Sequence, residues 1–312
     1  MHKAADMNLW TRRTDEGEDL RWHQHVVPWR EKDQDPGVVL LGVTSDEGVK
    51  RNHGRLGAVA GPDEIRQKLA NQAYHLHRPI YDAGNLCCER GNLEALQQEQ
   101  AALVYQLLNQ SHFPLLLGGG HEIAFGTFLG LEQHLHPSNT DAPIAIINFD
   151  AHFDLRQAAV ATSGTPFLQI AEHCQTKGIP FHYCCLGISE VSNTSALFTQ
   201  ANQLGVEYLQ DEELNNWQLP QIEEKLMEFL HPCQALYLSI DLDVLPAETA
   251  PGVSAPAARG VPLPMLEHLL AFIKSVALDR FKVADIAEYN PQYDIDGRTA
   301  RVAARLCHLL TR

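Results

Sequence analysis

Positive charge is scarce in this sequence. Its 312 residues carry 24 Lys and Arg against 39 Asp and Glu, a formal net charge of −15. That balance argues against nucleic acid or an anionic membrane as a main partner, because both reward a basic surface. Long apolar runs are missing as well: none approaches the roughly 20 residues needed to span a bilayer. Residues 1–18 mix charges of both signs around no apolar stretch. No secretory signal is read there, and a cytosolic protein is expected. The seven cysteines are odd in number, include the adjacent pairs Cys87-Cys88 and Cys184-Cys185, and never take a C-x-x-C spacing. Neither a disulfide framework nor a zinc knuckle is indicated, and buried, reduced thiols are expected. There is no G-x-G-x-x-G or P-loop lysine pattern, which argues against nucleotide binding. Repeats and Pro/Ser-rich linkers are absent too, so one domain over residues 37–312 is expected behind a polar N-terminal arm, residues 1–36.

What is present is alternation. Val38–Val43, Pro114–Leu117, Ile144–Asn148, Tyr183–Gly187, Ala235–Ile240 and Phe281–Ala287 are short apolar runs bounded by Gly, Pro or Asp, and read as buried strands. Longer amphipathic stretches separate them: Pro62–Gln72, Asn92–Asn109, Glu122–His134, Gln221–Phe229, Leu263–Ala277 and Gly297–Leu310 read as helices. This order predicts an α/β protein with a largely parallel sheet covered by helices on both faces. In such sheets ligands gather at the carboxyl ends of the strands.

Three segments fall at those ends: Leu117-Gly118-Gly119-Gly120-His121-Glu122, Asn148-Phe149-Asp150-Ala151-His152-Phe153-Asp154 and Ser239-Ile240-Asp241-Leu242-Asp243. Residues two apart in an extended chain point to one side, so Asp150, His152 and Asp154 converge, as do Asp241 and Asp243. A lone D-x-D is more often a turn, and a lone glycine-flanked His an ordinary loop residue. D-x-H-x-D is rarer, because three polar groups at a buried strand end are costly unless something pairs them. With His121 the set is four carboxylates and two imidazoles, enough charge to balance two divalent cations. Hard oxygen donors with a minority of nitrogen suit Mn²⁺, with Zn²⁺ able to compete in vitro. Two such ions activate water for hydrolysis.

The ordered set of G-G-x-H at Gly118–His121, D-A-H-x-D at Asp150–Asp154, S-G-T-P-F at Ser163–Phe167, S-I-D-x-D at Ser239–Asp243 and E-Y-N-P at Glu288–Pro291 resembles the ureohydrolases, the family of arginase, agmatinase and formimidoylglutamase. The resemblance runs from about Gly42 to the C-terminus. It implies a single three-layer α/β/α domain of the arginase-like fold, a homo-oligomer, and two Mn²⁺ per subunit. His121, Asp150, Asp154 and Asp241 would hold one ion. His152 and Asp243 would hold the other, with Asp150 and Asp241 bridging. The resemblance further implies that a hydroxide between the ions attacks the substrate, that Asp154 orients it and moves its proton, and that Glu288 grips the cationic nitrogens.

Departures within the family narrow the choice. Phe167 stands where arginases carry a proton-shuttling His, and Ser163 where agmatinases carry one. Gly120 stands where both usually have Asp. With the segment Lys50–Ala58, these features resemble the formimidoylglutamase subfamily, which implies conversion of N-formimidoyl-L-glutamate and water to L-glutamate and formamide in histidine breakdown. That substrate has two carboxylates, best read by the planar guanidinium fork. Arg156, directly after the metal motif, is the leading candidate for this role; Arg55 and Arg51 are weaker ones, with subunit or capping contacts as their alternative. Ser163, Thr165 and Asn52 could hydrogen-bond the substrate or simply shape their loops. Two other readings stay open: a ureohydrolase releasing urea from an acidic guanidino compound, and a catalytically silent metal-binding scaffold.

Overall fold

A computed structural model of the chain describes residues 1–11, 21–32, 34–135 and 142–312. Residues 12–20 and 33 of the segment read as an arm therefore lie outside the described residues. The strands are β1 (His2–Lys3), β2 (Val26–Pro28), β3 (Val38–Thr44), β4 (Ile80–Cys87), β5 (Phe113–Gly118), β6 (Ile144–Phe149), β7 (Phe181–Ile188), β8 (Glu207–Gln210), β9 (Ala235–Asp241) and β10 (Phe281–Ala287). The helices are α1 (Glu47–Arg51), α2 (Gly61–Leu69), α3 (Leu93–Asn109), α4 (Ile123–Leu135), α5 (Pro166–Lys177), α6 (Ser195–Gln203), α7 (Leu219–Leu230), α8 (Leu263–Ala277) and α9 (Arg298–Thr311). No helix among the described residues is long and apolar enough to cross a membrane.

All strands join one sheet in the order β1-β4-β3-β5-β10-β9-β6-β7-β8, with β2 also pairing to β4. Every pairing is parallel except β1 with β4. The six apolar runs of the sequence are all strands, and each central one is buried on both faces. Alternation along β5 shows the division: Leu115 and Leu117 join one core with Ile65, Leu266 and Leu306 of α2, α8 and α9. Leu116 joins the other, with Val104, Phe128 and Ile170 of α3, α4 and α5. The protein is thus a three-layer α/β/α structure around a mostly parallel sheet.

The sequence reading missed four strands and three helices. In β4, Asp82, Gly84 and Asn85 interrupt the apolar run; Asp82 is buried because Arg66 grips both its oxygens at 2.9 Å and Trp10 Nε1 donates to it at 2.7 Å. The outer edge of β4 is covered by β2 along Ile80–Asp82 and by β1 along Asn85–Leu86. Covering that edge leaves fewer unpaired backbone groups. The short edge strand β8 and the polar helix α6, with Ala201 its one buried residue, carry too little apolar pattern to read.

The topology decides where the site lies. After β5 the chain crosses to β6, and β9 and β10 later fill the gap, so β5, β10, β9 and β6 are side by side. Leu117, Ile286, Ile240 and Phe149 form one row across these strands. The candidate metal ligands begin just beyond that row.

Candidate functional site

His121 follows β5, Asp150 follows β6, Asp241 ends β9 and Glu288 follows β10. The turn after β5 depends on glycine: a Cβ on Gly119 would sit 1.6 Å from Ser45 O, and one on Gly120 2.0 Å from Glu122 Oε2. Glu122 occupies that space, its Oε1 accepting from Ser45 Oγ at 2.9 Å and Gly48 N at 3.0 Å. Asp154 and Glu288 hold left-handed backbone angles, φ 49° and 67°. Such angles cost energy in a non-glycine residue and tend to cluster at functional sites.

Six side chains converge. His121 Nδ1 lies 3.0 Å from Asp150 Oδ2, 2.9 Å from Asp154 Oδ2 and 3.2 Å from Asp241 Oδ2. His152 Nδ1 lies 3.1 Å from Asp243 Oδ2 and 3.5 Å from Asp150 Oδ1. Each group offers ligand atoms within 4.8 Å of one another, and Asp150 serves both with its two oxygens. Asp241 belongs to the first group, while its Oδ1 accepts the amide of Asp243 at 2.8 Å.

The donor set fits divalent cations. His121 Nδ1 is buried against three carboxylate oxygens yet makes a well-directed hydrogen bond to none of them. Burial pushes Asp154 up to about 6, with repulsion from Asp150 adding to the shift, and burial with like-charge neighbours raises Asp241 further. Burial alone would lower His121 and His152, but the surrounding carboxylates raise both well above the ordinary imidazole range. Burial opposes ionisation of Asp150 as well, and the two imidazoles overcome it and hold its pKa low. The cluster needs positive charge; protons supply it where metal ions do not.

Behind these ligands lies a polar row that the sequence reading did not single out. Asn148, Ser239 and Asp285 are aligned across β6, β9 and β10. Asn148 Nδ2 donates to Asp150 Oδ2 at 3.0 Å. Ser239 Oγ lies 2.9 Å from His121 Nε2 and donates to Asp285 Oδ1 at 2.6 Å. Burial raises Asp285, opposed by His121 and by hydroxyl donors. The signal was a polar residue inside each of three apolar runs, which means little until the strands are known to be neighbours. Phe167 packs edge-on against the His121 ring, 5.4 Å between centroids, and stacks on Tyr183.

A cavity of about 280 Å³ opens over the cluster, lined by His121, His152, Asp154, Asp241, Asp243 and Glu288. Glu288 Oε1 accepts the amide of His121 at 3.0 Å, and its buried Oε2 has no partner. Burial, with Glu122 and Asp243 nearby, pushes this carboxyl up to about 8. Asn52, Arg55, Arg156 and Ser163 also line the cavity, as does His53, which the sequence reading gave no role. Asn52 Nδ2 donates to Ser163 Oγ at 3.3 Å. Arg55 is fastened to Ser254 O and Val253 O and lies 4.2 Å over the Tyr293 ring. Arg156 is exposed at the rim.

Two sequence candidates are redirected. Thr165 falls outside this cavity: its hydroxyl faces Thr162 and Gln169 and shapes its own loop. Arg51 is consumed by Glu47, Glu94, Gly91 O and Ala161 O. A larger cavity, about 680 Å³, lies beside the starts of β3, β5 and β10 and holds none of these groups.

Known proteins are similar to this chain along nearly its whole length. Residues 36–311 match the model of the Arginase family. A formimidoylglutamase of Aeromonas hydrophila subsp. hydrophila is 52% identical over 313 residues, covering 99% of this chain and 98% of that one. The crystal structure of formimidoylglutamase from Bacillus subtilis superposes with a TM-score of 0.84 at 25% identity, over 96% of this chain and 94% of that one. The crystal structure of a Trypanosoma cruzi formiminoglutamase with Mn²⁺ superposes with a TM-score of 0.78 at 23% identity, over 94% and 98% of the two chains.

Proposed function

This chain belongs to the arginase family, and from that premise we propose that it hydrolyses N-formimidoyl-L-glutamate to L-glutamate and formamide, a step of histidine breakdown. One observation carries the choice of substrate. The cavity lining runs from Glu288, buried and with one carboxylate oxygen unpartnered, through half-buried Arg55 to exposed Arg156. The substrate offers a cationic amidine at one end and two carboxylates at the other, which complements that order.

Two divalent cations, for which we propose manganese, would acidify a water molecule and polarise the amidine carbon when held by His121, Asp150, Asp154 and Asp241 on one side and His152, Asp150, Asp243 and Asp241 on the other. Glu288 accepts hydrogen bonds from the amidinium, which steadies the carbon for attack and keeps the carboxyl ionised despite its burial. Asp154 takes a proton from water and returns it to the glutamate nitrogen as that bond breaks. Phe167 removes the imidazole shuttle of other family members and instead steadies the His121 ring. Arg156 and Arg55 hold the substrate carboxylates, with Asn52 and Ser163 hydrogen-bonding alongside.

We further take residues 37–312 as the catalytic domain, and the protein as a cytosolic homo-oligomer. The test is an assay of the Mn²⁺-loaded protein with N-formimidoyl-L-glutamate, agmatine, arginine and guanidinobutyrate, using the Asp150→Ala/Asp241→Ala variant as a blank. Release of glutamate and formamide is expected. Urea from a guanidino compound would keep the site and overturn the substrate, and metal-independent turnover would overturn the mechanism.

A further inference from the structure

We propose that Asp285, acting through Ser239, is a positioning residue that fixes His121 in the tautomer whose Nδ1 is free to bind a divalent cation. The inference rests on the metal reading of the site and follows from counting hydrogens.

Asp285 is fully buried in β10. Three hydroxyls surround it: Ser239 Oγ at 2.6 Å from Oδ1, and Tyr237 OH at 2.6 Å and Thr127 Oγ1 at 2.9 Å from Oδ2. An ionised carboxylate only accepts, and a hydroxyl has one hydrogen to give. Thr127 receives Gln100 Nε2 at 2.9 Å, and of the two acceptors in reach of its own hydrogen Asp285 Oδ2 at 2.9 Å is nearer than Ile123 O at 3.2 Å. Ser239 spends its hydrogen on Asp285, so at 2.9 Å from His121 Nε2 it can only accept. Nε2 must then carry a hydrogen. The lone pair of the neutral ring is left on Nδ1, the atom facing Asp150, Asp154 and Asp241.

The relay has two consequences. It orients the ring through a chain that begins in the rigid centre of the sheet, where Ser239 and Asp285 are register partners. It also sets a negative charge behind the ligand, which raises the basicity of Nδ1 toward a cation. The second site lacks this device: among the described residues, His152 Nε2 has no hydrogen-bond partner. The relay therefore acts on one ion of the two.

The experiment uses the full chain, stripped with a chelator and titrated with Mn²⁺ alone, with binding read by competition with a chromophoric chelator and by the manganese EPR signal. The native chain should take two ions. Asp285→Asn and Ser239→Ala should each keep one at native affinity and weaken the other by about 10–100-fold. In a His121→Ala background, Asp285→Asn should cost nothing further, because the group it acts through is gone. Should Asp285→Asn fail to fold, Ser239→Ala, which removes only a hydroxyl, and Tyr237→Phe, expected to give a smaller loss in the same direction, carry the test. Native affinity at both sites in Ser239→Ala, or an equal loss at both, would overturn the relay. A native chain that bound no ion would overturn the metal reading itself, and the relay with it.

Discussion

At the scale of single residues, the proposed mechanism divides the substrate between Glu288 and Arg156. Glu288→Gln preserves shape but removes the charge that meets the amidinium. A hydrogen bond to a charged group contributes about 1.5–3 kcal/mol, so kcat/KM should fall about 10–100-fold or more with both metals still bound. Unchanged kcat/KM would remove Glu288 from the site. Arg156→Ala should act mainly on KM, since a carboxylate remote from the reacting carbon is held alike in ground and transition states. A fall in kcat at constant KM would place Arg156 elsewhere in the mechanism. The cluster was legible because four carboxylates at fixed offsets repel one another unless positive charge holds them together. For Thr165 the sequence leaves two roles open, because a hydroxyl in a motif loop does not reveal which way it faces; the structure turns it to its own loop. Asp285 escaped because a polar residue in an apolar run looks like noise, and Ser239, though part of the S-I-D-x-D motif, reveals no role until its neighbours across the sheet are known.

Elements show the same limit differently. The six strands whose runs are mainly apolar were readable. β4 was not, because its buried Asp82 makes sense only beside Arg66 and Trp10. That trio joins the N-terminal residues to α2 and to the edge of the sheet. Asp82→Asn would leave Arg66, 1% exposed, with only the more exposed Asp63, 3.2 Å from Nη1, as counter-charge. Breaking one side of a buried pair costs about 3–5 kcal/mol. Urea unfolding should report a loss of that size, while the folded fraction keeps its metal content and turnover. A loss below about 1 kcal/mol would show that solvent reaches the pair.

For the whole molecule, acidity and metal are linked. Asp154, Glu122 and Glu288 are raised to about 6, 7 and 8, largely by burial. Their folded pKa values exceed those of an unfolded chain, about 4. Stability from these groups is therefore complete below about pH 4 and lost as pH rises through 6 to 8. His121 and His152, raised by their carboxylates despite burial, shift stability in the same direction. Asp150 has the opposite sign, but its effect belongs to strongly acid solution. The metal-free protein should thus melt lower at pH 8 than at pH 6, and the Mn²⁺-loaded protein should lose much less. Thermal unfolding in chelator and in Mn²⁺ checks this. A metal-free melting temperature that rises over that interval, relative to the loaded form, would contradict the electrostatic account.

The strand order also sets a timetable. His121 and Asp241 stand on strands that become neighbours only through β10, the last strand made. A ribosome that has yet to deliver residues 281–287 holds a chain whose metal donors are all synthesised, on a sheet still split between β5 and β9. On the proposed reading, metal capture therefore waits for β10, and a chain cut short before that strand should hold the donors without the site.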